Sequence, residues 1–142
     1  MKPGWLFVLF AASGAAQPAP VFSTGWPVTD GHLSSGFGGK HQGMDIAAAV
    51  GTPVRAFAAG IVEALTPDKV CGRKLRIRHD FGATSTYCHV SGIQVSVGDS
   101  VALGQPLAEI APGIGRTRAH LHFELKIAGE KVDPLAHLPR AR

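Results

Sequence analysis

The sequence predicts an all-β domain built as a folded-over antiparallel sheet, and three observations lead there. Eighteen glycines and ten prolines in 142 residues interrupt the chain too often for long helices and suit short strands joined by tight turns. No stretch carries a sustained apolar period of 3.6, whereas several alternate with period two, so no helix is expected. Two segments also echo each other: Gly51-Thr-Pro-Val54 leading to Gly60, and Gly98-Asp-Ser-Val101 leading to Gly104. Such an echo suits two related turn-and-strand units, and it speaks to fold rather than function.

The chain opens with Met1-Lys2, an apolar run from Trp5 to Ala12 and small residues to Ala16. This pattern reads as a secretory signal peptide over residues 1–16. Its apolar core falls short of the about 20 residues of a membrane span, so no stable membrane insertion is expected after cleavage. Residues 17–30 form a lead segment that begins Pro-rich, and residues 31–142 suffice for one domain with its own core. Without residues 1–16 the 14 basic residues become 13 against 10 acidic ones, a net charge of +3. No Lys/Arg block is dense enough to argue for nucleic acid, and a monomer is expected.

The stretch His32 to Lys40 is polar and Gly-rich, loop or strand-edge material able to wrap around a site. Strands are expected at Val54 to Ala58, Gly60 to Leu65, Lys74 to His79, Thr84 to Val90, Val101 to Leu103, Pro106 to Ile110 and His120 to Ile127. Within Thr84 to Val90, alternation puts Ser85, Tyr87 and His89 on one face and Thr86, Cys88 and Val90 on the other. The turn Asp80-Phe-Gly-Ala83 makes a hairpin that sets Cys88 opposite about Leu75. Cys71 must then curl back to pair with Cys88; the alternative is two separate thiols. A cysteine nucleophile is disfavoured, because Cys88 faces away from His89.

The chemistry concentrates in the last long strand. In His120 to Ile127 both imidazoles, with Glu124 and Lys126, share one face, while Leu121, Phe123, Leu125 and Ile127 share the other. Upstream, His41-Gln-Gly-Met-Asp45 offers an imidazole and a carboxylate that share a face if extended. A catalytic zinc takes three protein ligands and keeps a fourth position for water. The economical set is His41, Asp45 and His122, leaving His89 and His120 to move protons or hold an oxyanion. Spacing alone leaves open whether His120 or His122 is the ligand. Glu124 is a candidate to orient one of the histidines, and Tyr87, on the face assigned to His89, is a candidate to touch substrate. His79 is a weaker candidate for shaping the cleft, with a structural hydrogen bond the preferred role. His32 and His137 read as solvated loop residues.

These motifs carry a family resemblance. Ser35-Gly-Phe-Gly38, His41-x-Gly-x-Asp45, Gly51-Thr-Pro-Val54, Tyr87-Cys-His89, Gly98-Asp-x-Val101, Gly104-Gln105, His120-Leu-His-Phe-Glu124 and Val132-Asp-Pro134 resemble, in this order, the M23 metallopeptidases, the lysostaphin and LytM-like endopeptidases. The resemblance spans about residues 31 to 135. It implies a lysostaphin-like (duplicated hybrid motif) fold with a narrow active-site groove, one zinc ion, cleavage of peptide bonds in peptidoglycan, and a place in the periplasm or cell envelope of a bacterium. Carried over by position, it implies His41, Asp45 and His122 as metal ligands and His89 and His120 as catalytic histidines.

Two departures stand out: Gly115-Arg-Thr-Arg-Ala119 before His120, which puts the shape of a substrate-facing loop in question, and Lys40 where an Arg is common. The complete ligand set argues against the non-catalytic members that activate other wall enzymes. The paired Gly-x-x-Val turns also resemble biotinyl and lipoyl carrier domains. Those need an exposed Lys at a hairpin tip, where this chain has Asp80-Phe-Gly-Ala83.

Overall fold

A computed structural model describes residues 23–140. The expected signal peptide and the lead as far as residue 22 lie outside the described residues. What is described of the lead packs onto the domain: Val28 is buried, Thr24 Oγ1 donates to the His137 carbonyl at 2.6 Å and Trp26 Nε1 to that of Pro139 at 3.0 Å.

The strands in chain order are β1 (His32–Ser35), β2 (Met44–Ala47), β3 (Pro53–Arg55), β4 (Gly60–Asp68), β5 (Gly72–Arg78), β6 (Ala83–Cys88), β7 (Val90–Ser91), β8 (Ser100–Val101), β9 (Pro106–Ile110), β10 (His120–Ile127) and β11 (Glu130–Val132). One sheet runs β1-β2-β10-β6-β5-β4-β8 with β11 paired to β10, and the other runs β3-β9-β7. All pairings are antiparallel, so the all-β, folded-over antiparallel class is what the chain adopts. The one helical element among the described residues is a 3-10 turn, Pro134–His137, capped by the Asp133 carboxylate. It leaves His137 half-buried instead of in a solvated loop.

The core lies between the two sheets. Met44 and Ile46 of β2, Leu75 and Ile77 of β5, and Leu121, Phe123 and Leu125 of β10 meet Val54, Leu107 and Ile110 of the small sheet. In β10 the period-two pattern does what alternation demands: Leu121, Phe123 and Leu125 are inaccessible, Ile127 is half-buried at the strand's end, and His120, His122 and Glu124 face a solvent-accessible surface. The Gly-x-x-Val echo is structural as well. Gly51 and Gly98 adopt φ of 88° and 96°, and the valines three residues later, Val54 and Val101, are buried in short strands of different sheets.

Tyr87 is corrected by the structure. Its ring is fully buried against Phe123, centroids 5.2 Å apart, and cannot touch substrate. Strict alternation would send His89 into the core beside it, but His89 adopts φ 66°, ends β6 and turns its ring out. Only a left-handed residue at this point separates the two side chains, and composition carries no sign of it.

His79 takes the preferred role, a structural hydrogen bond, and not the weaker one of shaping the cleft. It is 5% exposed, away from any cleft, with Nδ1 2.8 Å from the Ala59 carbonyl and Nε2 2.7 Å from Ser85 Oγ. Burial pushes its pKa down, so the ring is neutral and has one N–H to give, which must go to the carbonyl. Ser85 then donates to Nε2, Tyr87 donates to Ser85 at 2.9 Å, and the Phe57 amide donates to Tyr87 Oη at 2.9 Å. The apolar interior thus holds a closed polar relay, with every buried polar side-chain atom among the described residues satisfied.

Candidate metal centre

Two outward-facing strand positions and one loop build the cluster. Asp45 of β2 is the cross-strand partner of His122 in β10, and β2 is seated there by Gly43. A Cβ on Gly43 would come within 2.7 Å of the Phe123 carbonyl and 2.9 Å of His122 Cε1, so the close approach needs a glycine. His41 enters from the loop between β1 and β2, which closes on itself through paired Gly38 and His41 backbone bonds.

His41, Asp45 and His122 each offer a ligand atom, all within 4.8 Å of one another. The His41 and His122 rings stand edge to face, centroids 5.3 Å apart. Asp45 Oδ1 lies 2.8 Å from His122 Nδ1, and Asp45 Oδ2 3.4 Å from His41 Nε2. His41 Nδ1 donates to the Gly36 carbonyl at 2.8 Å, which fixes the tautomer and leaves Nε2 with its lone pair toward the cluster. On the far side of His122, Nε2 is 2.9 Å from Glu124 Oε2, and Glu124 Oε1 is 3.2 Å from Lys131 Nζ. Two imidazoles and a carboxylate, each imidazole braced from behind, suit a borderline cation such as zinc.

The electrostatics follow from those contacts. The Glu124 hydrogen bond raises the His122 pKa, helped by Asp45 and opposed by burial. The same bond, with Lys131, holds Glu124 down to about 2, which favours its ionised form near neutral pH.

His89 and His120 form a second pair beside the cluster, ring centroids 4.6 Å apart. His120 Nδ1 donates to the Arg118 carbonyl at 2.8 Å, leaving Nε2 4.0 Å from Asp45 Oδ1. Burial, then the neighbouring His120 and His122, lowers the His89 pKa. The His89 backbone is tied at both ends: its amide donates to the Cys71 carbonyl at 3.3 Å, and its carbonyl accepts from Ala111 at 3.0 Å. Cys71 is disulfide-bonded to Cys88, Cα atoms 5.3 Å apart, so Cys71 does curl back. Cys88 pairs with Lys74, one residue from the expected Leu75.

The two histidines line a recess of about 310 Å³ with Val70, Ala111, Pro112, Gly113, Ile114 and Thr117, so the Gly115-Arg-Thr-Arg-Ala119 loop does border the groove. The sequence brings together His41, Asp45, His89, His120, His122 and Glu124 as expected, and separates Tyr87 and His79 from them. Lys131 was missed; the Ala128-Gly129 turn that folds β11 back along β10 is the signal that could have found it.

A folded-over antiparallel sheet carrying a His–Asp–His cluster beside a histidine pair defines a β-sheet protein with a candidate single-metal centre. Residues 39–134 match the sequence model of peptidase family M23, and the chain belongs to that family. It is 33% identical over 133 residues to the murein hydrolase activator NlpD of Salmonella dublin, covering 91% of this chain and 35% of that protein. It is 34% identical over 96 residues to the DD-carboxypeptidase/endopeptidase Mpg of Neisseria meningitidis, covering 68% of this chain and 22% of that protein. The chain thus spans about a third or less of the length of these relatives. Among solved structures, a zinc-containing peptidase from Vibrio cholerae superposes with TM-score 0.75 at 29% identity, over 83% of this chain and 41% of that one. Lysostaphin from Staphylococcus simulans shares the fold, with TM-score 0.69 at 24% identity over 80% of this chain and 53% of that one.

Proposed function

We propose that this chain is a zinc-dependent endopeptidase that hydrolyses peptide cross-links of bacterial peptidoglycan, exported to the periplasm or cell envelope, with residues 31–142 as the peptidase domain. The observation that carries the reading is the convergence of His41, Asp45 and His122 within 4.8 Å beside the His89 and His120 rings. His41, Asp45 and His122 would hold the ion, with Glu124 orienting His122. When bound, zinc supplies a Lewis acid that polarises a carbonyl and lowers the pKa of water to about 7.

The remaining work falls to the chain's own groups. His120, its Nδ1–H committed to the Arg118 carbonyl, presents Nε2 to take a proton from the attacking water and return it to the leaving amine. His89, kept neutral by burial and its histidine neighbours, offers an N–H to the developing oxyanion. Both roles need the rings where the Arg118 carbonyl and the Cys71–Cys88 bridge hold them.

Zinc-loaded protein is expected to release soluble peptides from purified sacculi, and chelation to abolish the release. Folded His122→Ala and His120→Ala variants should lose at least about 100-fold in rate. Activity that survives chelation overturns the mechanism. A second reading, a non-catalytic module that grips peptidoglycan or activates another wall enzyme, is favoured by the similarity to NlpD over 91% of this chain. It predicts sacculus binding and stimulation of a separate wall hydrolase with no cleavage by the chain alone.

A further inference from the structure

The outward face of the large sheet continues past the metal cluster in ordered rows. Cross-strand pairing puts Asp45, His122, Cys88 and Lys74 in one row, Glu124, Thr86 and Arg76 in the next, and Lys131, Lys126, Thr84 and Arg78 in a third. Rows lie two residues apart along each strand, so Lys126, four residues beyond His122, sits roughly 13 Å from it on the same face. Lys74, Arg76, Lys126, Lys131, Thr84, Thr86 and Glu124 enclose a depression of about 160 Å³. Four of its walls are cationic and one is anionic.

Most of those cations are already engaged. Asp68 takes Lys74 at 3.1 Å, Glu63 takes Arg76 at 2.6 Å and Arg78 at 3.7 Å, and Glu124 takes Lys131 at 3.2 Å. Lys126 has no carboxylate partner among the described residues, and it stands directly across from Lys131. Like charges opposed on neighbouring strands destabilise a sheet. The threonine hydroxyls between β5 and β10 add neutral donors to the same floor. One lysine without a carboxylate partner, set opposite a second, with hydroxyls and a hollow beside it, describes a receptor for a small anion.

We infer that this depression is a carboxylate subsite, which takes a free carboxylate of the peptide whose scissile bond lies at the metal centre. Lys126 is its principal contact and a specificity-determining residue, with Thr84 and Thr86 as hydroxyl donors. The inference rests on the groove being a peptide site, as proposed above. It names what the substrate must carry: an anionic group at one fixed span from the bond that is cut.

The test uses a D-alanyl–diamino-acid cross-linked peptide with free carboxylates and its fully amidated counterpart. Binding of each to the metal-depleted protein is measured by calorimetry, and cleavage of each by the zinc-loaded protein is followed separately. The free peptide is expected to bind about 5-fold more tightly than the amidated one, the scale of one exposed ion pair near 1 kcal/mol. Lys126→Gln should remove that difference, Lys126→Glu invert it and Lys126→Arg restore it, and added salt should shrink it. In cleavage the effect should fall on KM with kcat held within about 2-fold, the pattern of binding lost equally in ground and transition states.

Equal or undetectable binding of the two peptides, or a difference that persists in Lys126→Gln, overturns the inference whether or not the chain cleaves. Carboxylate discrimination through Lys126 in a chain that never cleaves overturns the hydrolase reading alone.

Discussion

At the scale of single residues, Glu124 is where position and chemistry separate. It touches His122 Nε2 and is not one of the three residues of the candidate cluster, so under the proposed function its task is to aim and polarise a ligand. Glu124→Gln keeps the shape and removes the charge. The expected outcome is a loss of about 10- to 100-fold in zinc affinity with the fold intact, read by competition with a chelating dye and by circular dichroism. A variant that binds zinc as tightly as the parent shows that Glu124 orients nothing. The sequence disclosed this residue because β10 alternates without interruption, so that one glance at its period sorts His120, His122 and Glu124 from the core. It misplaced Tyr87 by the same rule, since alternation holds only while φ stays extended, and His89 breaks it one residue past the end of β6.

Elements differ in how far they can be read. β9 and β10 begin and end where the pattern of apolar residues predicts, and β5 and β6 miss by a residue or two at their ends, because each has a buried side to write into the sequence. From sequence β1 reads only as loop or strand-edge material and β2 is not anticipated: β1 is exposed and pairs only with β2, and β2 alternates Met44 and Ile46 with Asp45 and Ala47 over just four residues, too short a run to stand out as a period. His41 and Asp45 were found by their residue types and by family resemblance, not by the strand that presents one of them. The β4–β5 hairpin depends on a covalent tie as well. The Cys71–Cys88 bridge closes a loop with sequence separation 17, which corresponds to about 3 kcal/mol in the chain-entropy account. The double variant Cys71→Ser/Cys88→Ser should lose stability on that scale in urea unfolding. It should also cleave more slowly, because the Cys71 carbonyl that receives the His89 amide is no longer anchored.

Over the whole molecule, the buried relay makes stability respond to acid. His79 has a folded pKa below its ordinary 6.5, so the unfolded chain takes the proton first. Its contribution is complete above about pH 6.5 and declines as pH falls below that toward the folded pKa. Urea midpoints compared at pH 7.5 and pH 5.5 should fall less in His79→Gln than in the parent, although the variant starts lower; an unchanged slope removes His79 from the acid response. The two sheets that enclose this relay meet at His89, whose amide leans on the disulfide-bonded turn and whose carbonyl leans on the strand pair of the small sheet. The junction between sheets is therefore also a candidate site residue, and its left-handed backbone makes alanine a poor control. An alanine there keeps a strain of roughly 1–2 kcal/mol that glycine does not feel. His89→Gly should unfold at higher urea than His89→Ala while both lose the ring, and comparing the two divides the catalytic part proposed for the imidazole from the cost of bending the chain. By the same logic, a packing change beneath the small sheet such as Ile110→Val, one residue from the Ala111 amide that holds the His89 carbonyl, is expected to shift the His89 ring without touching it, so that the domain's core would tune the proposed site from behind.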